Sequence, residues 1–174
     1  DDQSGAFRFY QYPTWSADGK QLAIVGVSGE SDGGNRSEMF IKSIGEEGND
    51  TVYSSESRHP FYLYWSPDNA AVSFLSTDSA GQSILLQRVS VDGGDPLVLD
   101  TGSPYYWSWA PDGRTMIVHT GSAASSSPEH MAFLQVDSEI TEDAVDSIPA
   151  SFQAPAWSPN GSRILLARLN EQEK

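Results

Sequence analysis

The side chains in this sequence that could do chemistry are three histidines, a recurrent aspartate and a recurrent group of aromatic residues. His59, His119 and His130 show no pairwise spacing typical of metal ligands, and no Ser/His/Asp set can be assembled from the sequence alone. His119 shares an apolar register with Val25, Leu75 and Ala167, each ten residues past a tryptophan, where a packed strand residue is expected. Asp18, Asp68 and Asp112 would make three carboxylate ligands by count, but each stands in its own tight turn, and turn chemistry accounts for them better. Asp32-Gly33-Gly34-Asn35 offers oxygens to calcium without the full ligand spacing of a calcium loop. The expectation is therefore no catalytic residue, no metal and no cofactor within these residues.

The aromatic residues are the better candidates. Tyr12, Tyr62 and Tyr106 each stand three residues before a tryptophan, accompanied by Tyr10, Phe61 and Tyr105, and Phe152 lies near a fourth copy. Packed, they fill a core; exposed, they form a stacking platform that, among acidic loops, suits a basic peptide or a carbohydrate. The candidate ligand-binding set is Tyr12, Phe61, Tyr62, Tyr105 and Tyr106, with His59 in a loop on the same face.

These residues are positioned by a stretch written four times: Trp15-Ser16-Ala17-Asp18-Gly19, Trp65-Ser66-Pro67-Asp68-Asn69, Trp109-Ala110-Pro111-Asp112-Gly113 and Trp157-Ser158-Pro159-Asn160-Gly161. The tryptophans of successive copies are 50, 44 and 48 residues apart. Pro, Asp and a final Gly or Asn predict a type I turn followed by a left-handed residue, closing a three-residue hairpin. Asn69 is the one departure from glycine and is the usual substitute there.

An apolar strand follows each turn, with Leu22, Val72, Met116 and Ile164 seven residues past the tryptophan and Ile24, Phe74, Val118 and Leu166 nine past it. The position between them is mostly apolar too, which predicts burial on both faces and hence stacked sheets. In the second copy a third strand follows over 84–91, then the turn Asp92-Gly93-Gly94-Asp95 and a short fourth strand over 96–99. A four-stranded antiparallel meander of about 45 residues is the period of a β-propeller blade. The predicted fold is all-β, with blades over 10–57, 58–102 and 103–150 and a half blade over 151–174. About three and a half blades point to a larger ring, or one completed by oligomers, and so to self-association.

The recurring motif resembles the W-S-P-D-G repeat of TolB-type propellers, also found in the propeller domains of tricorn and of dipeptidyl-peptidase-like and prolyl-oligopeptidase-like enzymes. The resemblance runs over roughly 10–168. It implies a ring of six to eight blades, often secreted or periplasmic, that docks proteins or gates a separate hydrolase domain. Such a hydrolase needs a G-x-S-x-G elbow, which this sequence lacks. Two functions follow: a non-catalytic scaffold binding a protein, peptide or glycan, or the propeller part of a larger peptidase-like or lyase-like enzyme whose catalytic residues lie outside these.

Composition bounds the partners. The 174 residues carry a formal net charge of −14, so a phosphate backbone is repelled and nucleic acid is not an expected partner. The absence of cysteine excludes disulfides and thiolate metal sites. No apolar run reaches the roughly 20 residues that span a bilayer. A secreted, periplasmic or cell-surface location is the expectation carried by the resemblance.

Overall fold

A computed structural model describes residues 7–28, 36–78, 80–121, 129–136, 140–146, 150 and 154–167, and every regular element among them is a strand. Strands β1 (Phe7–Trp15), β2 (Gln21–Ser28), β3 (Ser37–Ser43) and β4 (Asp50–Ser55) form one sheet in chain order. A second sheet is β5 (Phe61–Trp65), β6 (Ala71–Thr77), β7 (Ile84–Ser90) and β8 (Leu97–Gly102). A third is β9 (Tyr105–Trp109), β10 (Thr115–Thr120), β11 (His130–Val136) and β12 (Ile140–Ala144). Finally, β13 (Ala156–Trp157) pairs with β14 (Ile164–Leu165). The sheets are antiparallel meanders, as the repeat predicts. The chain divides into two compact units at Val98 and Leu99, within β8.

In the first unit the strand after the motif is buried on both faces. Every residue from Ala71 to Ser76 is buried, so Val72, Phe74 and Leu75 pack in both directions. The two buried hydroxyls of β6 are satisfied, Ser73 Oγ donating to the Tyr64 carbonyl at 3.0 Å and Ser76 Oγ to Gln87 Oε1 at 2.7 Å. Phe74 meets Tyr53 edge to face at 5.0 Å within a core that includes Val25, Met39, Ile41, Leu63 and Trp65. Truncating a fully buried ring of this kind costs about 3–5 kcal/mol. The motif tryptophan ties the two sheets together: Trp65 Nε1 donates to the Thr14 carbonyl at 2.9 Å, and the Ala17 N–H donates to Asn69 Oδ1 at 2.7 Å.

The second unit repeats the scheme. Met116, Ile117 and Val118 of β10 are fully buried, as are Ala132 and Leu134 of β11. The Trp157 N–H donates to Ser108 Oγ at 3.2 Å, and its indole lies 6.0 Å from the Phe133 ring. Gly102 is required by proximity, since a Cβ there would fall 1.5 Å from Thr120 Oγ1.

The turns differ from the expected three-residue hairpin by one residue. The Ser16 N–H donates to the Gln21 carbonyl and the Gly19 N–H to the Ser16 carbonyl, both at 2.9 Å, so four residues span the turn. The motif serine braces this turn: its hydroxyl, not its carbonyl, accepts the Gln21 N–H at 2.9 Å while donating to Asp18 Oδ1 at 2.7 Å. Ser66 and Ser158 do the same with Asp68 and Asn160. The third copy has Ala110 in place of serine, and there Asp112 takes over, accepting the N–H groups of Arg114 and Thr115 at 2.8 and 2.9 Å and the Thr115 hydroxyl at 2.8 Å. The left-handed residue sits where the pattern predicts, with φ of 70° at Gly19, 59° at Asn69, 69° at Gly113 and 70° at Gly161.

Candidate binding face

The first strand of each four-stranded sheet carries the candidate aromatics, and in the first unit two of these strands are broken in the same way. In β1 the ladder slips between Gln11 and Thr14, leaving Tyr12 and Pro13 opposite Ile24 alone. In β5 it slips between Phe61 and Tyr64, leaving Tyr62 and Leu63 opposite Phe74. These are β-bulges, and a bulge is where a strand tolerates a proline with no N–H to donate. The first bulge residue adopts the left-handed conformation, φ 54° at Tyr12 and 49° at Tyr62, a conformation that costs a bulky side chain about 1–3 kcal/mol. The second residue of the β5 bulge, Leu63, is buried. At the bulge Tyr62 faces outward while its neighbour Leu63 stays in the core.

The two tyrosines meet. Their ring centroids are 5.9 Å apart at a 45° tilt, and they remain 38% and 63% exposed. An aromatic pair returns about 0.5–1.5 kcal/mol, less than two left-handed residues cost, so the contact alone does not account for the strain. Phe61 lies half-buried beside Tyr62, edge to face at 5.8 Å. Exposed aromatic residues that the sequence reading did not place in the site extend the same two strands: Phe9, Tyr10 and Trp15 on β1 and Tyr64 on β5. Alternation signals Tyr64, because Tyr62 and Tyr64 share one side of β5 and Leu63 and Trp65 the other. The repeat predicts a scaffold role for Trp15, as for the other motif tryptophans. Its counterpart Trp65 is 6% exposed against a neighbouring strand, but Trp15 is 57% exposed.

The remaining candidates sit in other settings. His59 is exposed, and its Nδ1 lies 2.7 Å from Ser37 Oγ. That is hydrogen-bond reach for a nucleophile and its base, but Ser37 is 0% exposed and no substrate carbonyl can approach it. In the second unit β9 has no bulge: Tyr106 pairs directly with His119 in the ladder, half-buried, with the rings 5.8 Å apart. Tyr105 is 4% exposed, and its hydroxyl donates to Asp100 Oδ2 at 2.6 Å. Burial foremost, and then the Asp100 carboxylate, push its phenol well above the usual range. Tyr105 is thus withdrawn from any exposed platform, because it shares the inward side of β9 with Trp107 and Trp109.

The other residues with chemistry to offer are committed to structure. His119 is buried within β10, and His130 Nε2 lies 2.6 Å from Glu142 Oε1. In the turns, Asp18 is held below the usual carboxylate range by the Ser16 hydroxyl and the Lys20 N–H. For Asp112 burial works to raise the pKa, but the N–H groups of Arg114 and Thr115 and the Thr115 hydroxyl outweigh it and leave it lowered. Among the described residues no group of three or more His, Asp or Glu side chains could hold a metal. The Asp32-Gly33-Gly34-Asn35 stretch and Phe152 lie outside the described residues.

No known family profile matches the chain, and no curated protein sequence matches it. Solved structures do. TolB from Acinetobacter baumannii aligns over 91% of this chain and 37% of its own, with a TM-score of 0.62 at 17% identity. The β-propeller domain of the Trilobed protease from Pyrococcus furiosus aligns over 92% of this chain and 48% of its own, with a TM-score of 0.65 at 12% identity.

The fold is a β-propeller.

A puromycin-hydrolysing peptidase from Mycobacterium tuberculosis aligns over 90% of this chain and 27% of its own, with a TM-score of 0.62 at 11% identity. The chain spans less than half the length of each of these three. In propeller terms the bulged strands β1 and β5 are the first strands of two successive blades. The same register in the next blade, at Tyr106, carries the aromatic residue without the bulge. No helix among the described residues is long and apolar enough to cross a membrane.

Proposed function

We propose that this propeller is a non-catalytic scaffold that binds a protein, peptide or glycan through the aromatic face of its first two blades, centred on Tyr12 and Tyr62. The observation carrying the reading is the matched pair of left-handed bulges. Backbone strain is retained where a displayed side chain is used, and here it holds two tyrosine rings together and in solvent. The net charge of −14 favours a basic or neutral ligand over an acidic one. The blades are taken as 10–57, 58–102 and 103–150 with a half blade over 151–174, in a ring completed by further blades or further copies. The location is taken as secreted, periplasmic or cell-surface.

Calorimetric titration with a hexalysine peptide and with neutral oligosaccharides tests the platform. One class is expected to bind, and the Tyr12→Ala/Tyr62→Ala double variant to weaken it at least about tenfold, as for the loss of aromatic anchors. Failure of both classes to bind at millimolar concentration, or equal binding by the variant, overturns the reading.

The second reading is a propeller domain of a larger peptidase-like or lyase-like enzyme. It is favoured by the likeness to the propeller domain of the Trilobed protease. On that reading the catalytic residues lie outside these 174 residues.

A further inference from the structure

A second site lies away from the aromatic face. Beside the outer strand of the first blade is a groove of about 520 Å³, within the range of small-ligand clefts. It is lined along β4 by Thr51, Tyr53 and Ser54, beyond β4 by Arg58, and across from it by Gln87 and Asp95. Strand order makes β4 an edge, paired to β3 on one side only. An edge strand presents backbone donors and acceptors ready to pair with another chain.

The groove has a polarity along its length. The β3–β4 connection lies at the turn end of its blade, where the Ile44 N–H donates to the Lys20 carbonyl, and the β7–β8 connection lies at the turn end of the next, where the Val91 N–H donates to the Ala70 carbonyl. The two turns touch through Ala17 and Asn69. Asp95 therefore stands toward the end where β4 begins, and Arg58 follows the end where β4 stops. The Arg58 main chain is pinned, its N–H donating to Ser55 Oγ and its carbonyl accepting from the Tyr53 hydroxyl, both at 2.9 Å. Neither Arg58 nor Asp95 has an ion pair within 4.0 Å among the described residues. Gln87 Oε1 is already held by Ser76, so one wall is fixed.

We propose that this groove binds an extended peptide that adds as a further strand to β4, with an acidic group at Arg58 and a basic group at Asp95. Main-chain pairing supplies affinity in such strand addition, and the flanking groups supply specificity. A ligand carrying both charges is near neutral overall, so the −14 field of the protein does not repel it. The hydroxyls of Thr51 and Ser54 suit threonine and serine side chains in the added strand.

The test uses acetylated, amidated hexapeptides of sequence KTVTVE and its reverse EVTVTK, with the uncharged QTVTVQ as comparison. Binding is followed by calorimetry and by amide chemical shifts of residues 50–55. A charged hexapeptide is expected to bind in one or both orders and to shift the β4 amides. Arg58→Gln is expected to weaken it at least about tenfold, as for loss of a charge-assisted hydrogen bond, and to melt like the wild type. Tyr12→Ala/Tyr62→Ala should leave this binding unchanged, which separates this site from the aromatic face. Binding of QTVTVQ as tight as the charged peptides, no shift in β4, or equal binding by Arg58→Gln overturns the proposal, as does binding by none of the three.

Discussion

At the scale of single residues, the informative side chains are those in a backbone conformation their type disfavours. Tyr12 and Tyr62 hold φ of 54° and 49° at positions a glycine would occupy without strain. That inverts an ordinary expectation. Within a strand glycine is less stable than alanine by about 0.5–1 kcal/mol, but at Tyr62 alanine keeps the left-handed strain and glycine removes it. Both variants lose the Tyr12 ring contact equally. Tyr62→Gly is therefore expected to be more stable than Tyr62→Ala by about 1 kcal/mol, measured by urea denaturation of the two variants side by side. The reverse order would mean the bulge relaxes on truncation and stores no strain. The register of these tyrosines was legible from the repeat. Their bulges were not, because neither position carries the Gly or Asn that ordinarily announces a left-handed residue. Tyr105 and Tyr106 show the complementary limit: adjacent residues of one type differ in burial because successive side chains of a strand face opposite ways.

At the scale of elements, the motif turn is a side-chain hydrogen-bond network repeated with substitutions. Ser and Asp share the work in the first two copies, Ser and Asn in the fourth, and Asp with Thr115 in the third, where serine is missing. Such carboxylates tie stability to pH. Asp18, Asp68 and Asp112 all have lowered pKa in the folded chain. A depressed carboxylate contributes stability above its unfolded value near 4 and loses it as pH falls through the lower folded value. Asn160 shows that the turn closes with a neutral oxygen. Asp112→Asn should therefore fold, melt below the wild type at pH 7, and converge on it as pH approaches 3. Thermal melts of both proteins across that range check the point; a gap that stays constant with pH would place the effect in packing and not in charge. The strands between turns were largely legible, since apolar runs bounded by Gly, Pro, Asp and Asn leave little freedom. The short pairing of β12 was less so, because its exposed, acidic stretch over 141–144 carries no burial pattern to mark it.

At the scale of the whole molecule, the same acidity that shapes the turns opposes the compact state. A net charge of −14 over 174 residues is repulsive on folding, and this was fully readable from composition. What composition leaves open is the balance with local effects, because acidification acts twice. It lowers the repulsion by neutralising carboxylates across the surface, and it removes the turn contribution of Asp18, Asp68 and Asp112. Salt acts once. It screens charges separated by more than about 10 Å at 0.1 M and barely weakens hydrogen bonds closed within a turn, such as the 2.8 Å contact between Thr115 and Asp112. The melting temperature at pH 7 is therefore expected to rise with NaCl from 20 to about 500 mM, and to rise equally with KCl. Lowering pH at fixed high salt should then only destabilise, since screening has already relieved the repulsion that acid would otherwise relieve. Differential scanning calorimetry over a grid of pH and salt reads both effects. A melting temperature indifferent to salt, or one that climbs on acidification at high salt, would show that long-range repulsion is not the force that the turn carboxylates work against.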